Sequence, residues 1–202
     1  GHPCAPQAPR TPADEHRVTR QLPRAVAWLP SGSTLPAPAW EVRHRWLTSL
    51  LWAALATSTV LAVVLDHPWR AAPAVAWAGF AVLVVVAGAA GLPWPRMDPR
   101  ASRHLRSCAT ASGLMGVAAV LIGLFDGAPE AHFLFFIVIP LVALYEAWLP
   151  FLVAVAVVVL EHGVVGALVP GAVFGWKDAA QLHLGGSWHS AAVHGLLFAI
   201  AC

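Results

Sequence analysis

The chain has 202 residues, of which 58% are hydrophobic and only 11% charged, and its formal net charge is +2 with the histidines neutral. A soluble domain of this size carries about 25% charged residues, so an ordinary soluble enzyme domain is excluded. The arginines cluster in short stretches rather than along one face, which excludes a nucleic-acid surface. The three cysteines (Cys4, Cys108, Cys202) form neither a CxxC pair nor an even framework.

Residues 1–40 hold eight of the seventeen prolines, several arginines and few large aliphatics. Such a stretch cannot bury enough apolar surface to fold, and it lacks the pattern of a signal peptide. Residues 1–43 are expected to be a disordered, partly basic tail, and residues 44–202 a transmembrane domain. Past the tail, three intervals contain no charged residue: Arg45 to Asp66, Arg70 to Arg96 and Arg106 to Asp126. Each is long enough for a helix crossing a hydrocarbon core, which takes roughly 20 apolar residues.

Six membrane segments are predicted, at about 46–65, 72–92, 108–125, 131–148, 150–169 and from near Trp188 to the end. Trp46, Trp69, Trp94, Trp148 and Trp188 fall at or near their ends, where an indole suits the headgroup layer. Pro93, Pro95, Pro150 and Pro170 punctuate the connections, and Pro140 inside the fourth segment predicts a kink. The fold class is therefore an all-α polytopic membrane bundle of about six helices. Its basic residues divide ten against two: six precede the first segment and four lie in the second loop, against Arg70 and Lys177 on the other side. That asymmetry predicts a cytoplasmic amino terminus, second loop and carboxyl terminus. The chain begins without a methionine and ends inside an apolar run, so it is expected to be a piece of something longer.

Half of the ten histidines lie from residue 132 onward: His132, His162, His183, His189 and His194. With this topology His132 stands at the outer mouth of the fourth helix. His162 lies about 10 Å and His194 about 9 Å below the outer surface on the fifth and sixth helices. Glu161 adjoins His162, although helix neighbours point about 100° apart. Ionisable groups at such depth face the bundle interior or a polar cavity. Three readings compete: hydrogen bonds between helices, a zinc or copper site made by His132, Glu161, His162 and His194, and haem b held by His162 and His194. Proton or small-molecule sensing is a further alternative. No HExxH, GxSxG, P-loop or dinucleotide fingerprint is present, so the chain itself is not expected to be an enzyme.

The segment from His132 through Phe133, Phe135, Phe136, Tyr145 and Trp148 to Pro150 continues with His162, Gly163, Pro170, Val173, Phe174, Trp188, His194 and Gly195. This order resembles the multi-pass membrane sensor region (HFHFF, HH, HG) that precedes the output domains of bacterial diguanylate cyclases, sensor histidine kinases and chemoreceptors. The resemblance covers about residues 130–202. Two positions depart from it: Leu134 replaces the second histidine of HFHFF, and Glu161 replaces the first of the HH pair. If the family binds a ligand through its full histidine set, this chain has lost part of that set.

The resemblance implies an input module of a signal-transduction protein in the bacterial inner membrane, with any catalytic output domain beyond Cys202. The implied partners are the lipid bilayer, a cytoplasmic output domain or protein and, in one reading, a second copy as a homodimer. Rival readings are a haem- or metal-binding membrane redox protein using His162 and His194, and a transporter, which ranks third because no inverted repeat is visible.

Overall fold

A computed structural model of the chain describes residues 35–65, 73–125, 127–168 and 173. Its elements are α1 (Ala37–Val64), α2 (Pro73–Gly91), α3 (Pro99–Leu124), α4 (Pro129–Ala143) and α5 (Trp148–Leu160). A π-helical turn at Glu161–Val165 and a last helical turn at Gly166–Leu168 continue α5. The described residues contain no strand.

The helix boundaries follow local chemistry. Before α3, the Asp98 carboxylate accepts from Arg100 N at 2.9 Å and Ala101 N at 3.2 Å, with Pro99 in the first turn. The helix therefore starts nine residues before the expected position 108, and Arg100, Arg103 and Arg106 sit on its first turns rather than in a loop. The first helix also starts early. Pro36 precedes it, Pro38 occupies its first turn, where a missing N–H costs nothing, and Ala37–Arg43 are helical rather than part of a tail ending at 43. Trp40 holds them there by being buried and hydrogen-bonded to Ser107 at 3.0 Å. The fourth helix ends at Ala143, short of the expected 148. Glu146, at φ 50°, then turns the chain in the left-handed region before α5 begins.

The third helix is central. It packs against α1, α2, α4 and α5, and more than half (56%) of its apolar window is buried, against 22% for α1 and 33% for Trp148–Leu168. Two glycines permit the close approach. A Cβ on Gly113 would lie 2.7 Å from Leu51 of α1, and one on Gly116 2.5 Å from Leu83 of α2. Ala111, Leu114, Met115, Ala118 and Ile122 complete the buried face of α3.

Outward, the bundle is apolar. Trp46 (75%), Val64 (71%), Val85 (70%) and Leu168 (76%) are among many large side chains left bare. So much exposed apolar surface suits lipid, not water. Three helices (α1, α3 and Trp148–Leu168) are long and apolar enough to cross a membrane. The α2 and α4 helices include shorter apolar stretches, and the 15 residues of α4 make about 22 Å against a core of about 30 Å. Pro140 lies within α4.

The helices α1, α3 and α5 begin at one end of the bundle, where α2 and α4 finish, because Arg43 reaches Leu144 while His44 and Arg106 reach Ala90. This end carries the described arginines, Arg43, Arg45, Arg96, Arg100, Arg103 and Arg106. The opposite end holds the turn between α3 and α4, His132 and the π turn. Residues 1–34, the sixth segment and the carboxyl terminus lie outside the described residues, as do His183, His189 and His194.

Candidate functional site

At the arginine-poor end the structure brings three predicted residues together. His132 sits in the first turn of α4, its Nδ1 3.1 Å from the Ala128 carbonyl one turn back. His162 is buried, with Nδ1 3.2 Å from the Val158 carbonyl and 2.6 Å from Glu161 Oε2. The two imidazoles meet edge-on at 5.3 Å between centroids, and Phe135 closes the other side of His162 at 5.8 Å. Phe133, by contrast, is largely exposed and belongs to the lipid face. The fourth predicted residue, His194, is outside the described residues, so its relation to this group is not drawn.

The π turn explains how neighbours in sequence share one interior. Glu161, His162 and Gly163 are all buried, and the wide turn brings neighbours closer to one face than the regular spacing of about 100° per residue does. Upstream and downstream, Pro150, Ala154, Val158, His162 and Gly166 are buried at every fourth position. Over those sixteen residues a regular helix would drift by about 160° and carry the last ones off the face. The wide turn, in which Gly166 N bonds back five residues to the Glu161 carbonyl, absorbs about one residue of that drift.

Chemically, each imidazole has Nδ1 against a backbone carbonyl, which accepts only. Neutral His132 and His162 are therefore Nδ1–H tautomers with the lone pair on Nε2. The Glu161 carboxylate shares the Nδ1 side of His162. Such a pair can orient an imidazole toward a ligand. Among the described residues no three His, Cys, Asp or Glu converge as a metal site.

A second buried polar group, at the arginine end, has no counterpart among the predicted site residues. Trp40 stacks on His44 at 4.4 Å, and Arg106 lies 5.0 Å over the Trp40 ring. His44 Nε2 is 3.0 Å from the Ala90 carbonyl, to which Arg106 Nε also donates at 3.0 Å. Ala90 stands in the last turn of α2, so these groups cap its open carbonyls. His44 Nε2 must then carry the proton, and Nδ1 accepts from Tyr145 OH at 2.8 Å. Burial pushes the Tyr145 phenol up, against the opposing influence of its Thr110 hydrogen bond and of Arg106, and keeps it a donor. Next door, Arg43 donates to the Leu144 carbonyl at 2.7 Å and to Glu146 at 2.6 Å, capping α4. Two adjacent residues of α1 thus hold the ends of two other helices. The available sequence signal was the four-residue spacing of Trp40 and His44 on one helical face, hidden by their place beside the proline-rich tail.

In comparisons with known proteins, no family model matches the chain, and no solved structure matches it. One curated protein does: the transducer protein Htr8 of Halobacterium salinarum is 28% identical over 174 residues. That match spans 84% of this chain and 26% of the relative, so the chain covers about a quarter of the relative's length. The chain is thus a distant relative of a signal transducer, and its described bundle is that of a membrane protein.

Proposed function

We propose that the chain is the membrane-embedded input module of a signal-transduction protein, in a cytoplasmic membrane with six spans and both termini inside. A stimulus at the outer end would act on His132, Glu161, His162 and His194, the last outside the described residues, and the change would pass along the helices to a cytoplasmic output domain or partner. The observation that carries this reading is the pairing of buried His162 and Glu161 with half-buried His132, built around a π turn and set at the end opposite the described arginines. Buried ionisable groups in membrane helices mark function far more often than packing needs them, and π turns gather at functional positions. Similarity to a transducer supports the same class. In cells making the whole protein, His132→Leu with His162→Leu should abolish the dependence of output on acid or on added zinc or copper. Protein level in the membrane should stay unchanged. An intact response in that double variant contradicts the reading.

A second reading is favoured by one detail. Both histidines have Nδ1 tied to a backbone carbonyl, a contact that fixes the tautomer and orientation of ligating imidazoles. A metal ion or haem held through Nε2 of His162, with His194 as partner, fits that tautomer. Metal analysis and an absorption spectrum of the purified chain test it. Stoichiometric metal or a haem band that His162→Leu removes supports a redox or ligand-binding role, and a colourless, metal-free protein rejects it.

A further inference from the structure

The helix that carries Glu161 and His162 has an unusual bond pattern where they sit. In a regular helix the Val158 carbonyl is the partner of the N–H of residue 162. Here the imidazole of the same residue donates to it at 3.2 Å, while Glu161 N spans both Val157 and Val158. The Glu161 carboxylate sits 2.6 Å from that same imidazole nitrogen. The side-chain group and the widened backbone therefore support each other. Glu161, His162 and Gly163 are buried together where the helix widens.

From this we infer that the π turn at Glu161–Val165 is a two-state element controlled by the site. With the His162 imidazole seated between Val158 and Glu161, the turn is wide. When that seat is lost, the turn closes to an α-helical one. Closure rotates the rest of the helix by roughly 100° and moves it by about 1.5 Å along its axis. Leu168, now 76% exposed, would change face, so the movement reaches the end of the described helix. A ligand drives such a change only through different affinities for the two forms, and imidazoles that reorient with the turn supply that difference. The inference rests on reading this end as the input site, but its test does not depend on signalling.

The experiment uses the full chain in lipid nanodiscs, with Cys4, Cys108 and Cys202 replaced by serine. Spin labels are placed at Leu168, after the turn, or at Leu152, before it. Distances are measured to reference labels at Val63 of α1 and Val85 of α2, all four positions being exposed. His162→Leu keeps the volume and removes both ring nitrogens. It should move Leu168 by about 5 Å or more relative to at least one reference, because the label swings around a helix roughly 10 Å across. Leu152 should not move. Glu161→Gln should displace Leu168 in the same direction. Deleting Val164 together with His162→Leu removes one residue from the closed turn and should return Leu168 to its original distances. An unmoved Leu168 in both substitutions overturns the inference, as does equal movement of Leu152 or a deletion that fails to restore. Displacement with an unchanged cellular response would instead sink the input-site reading and leave the two-state turn standing.

Discussion

At the scale of single residues, the two ends of the bundle use histidine in opposite ways. His44 has both ring nitrogens engaged, one by Tyr145 and one by Ala90, and serves as a structural tie. Removing the Tyr145 hydroxyl leaves a buried acceptor without its donor, a loss of about 1–3 kcal/mol. Tyr145→Phe should lower thermal stability in detergent accordingly, with no change in any response to stimulus. His44→Ala should cost more, because it also uncaps α2 and unstacks Trp40. The neighbouring Arg43–Glu146 pair is about one-third exposed on each side, and screened pairs of that kind contribute little. Glu146→Gln should therefore leave the melting temperature within about a degree. His162 was visible in the sequence as an ionisable residue deep in an apolar run. His44 was not, because nothing local distinguishes a histidine near the start of a helix from one in a solvated tail.

At the scale of the element, α3 decides the packing. Gly113 and Gly116 lie where Leu51 and Leu83 press in. Gly113→Val or Gly116→Val forces those leucines aside, and overpacking of this kind typically costs 1–3 kcal/mol. Gly79 and Gly88 of α2 have no heavy atom within 4 Å of an added Cβ. Gly79→Ala should be neutral or stabilise by about 0.5–1 kcal/mol through helix propensity. A denaturation series in one detergent checks the contrast, which reverses if α3 is not the central helix. The charge-free intervals after Arg45, Arg70 and Arg106 each fall on a helix, α1, α2 and α3, of which α1 and α3 are long and apolar enough to cross a membrane. They misplaced the starts of α1 and α3, because Pro38 in a first turn and capping by Asp98 let a helix run on through polar residues. The π turn left no mark in hydropathy. Only the run of buried positions from Pro150 to Gly166, four residues apart, betrays it, and burial is not written in the sequence.

At the scale of the whole molecule, the arginines gather where α1, α3 and α5 begin, and the imidazole–carboxylate group lies at the far end, beyond an apolar belt. The account turns on which side of the membrane each end faces, because an input site must meet its stimulus. Positive charge on short connections predicts that the α2–α3 connection is cytoplasmic and the α3–α4 turn is outside. The most direct measurement is labelling of single cysteines in intact cells with a membrane-impermeant thiol reagent, at Met97→Cys in the first connection and Glu130→Cys beside the second. Both positions are exposed. The account predicts that Glu130→Cys reacts at once and that Met97→Cys reacts only after the cells are opened. Protection of Glu130→Cys with labelling of Met97→Cys would turn the molecule over, put the histidine group inside the cell, and contradict the proposed input role.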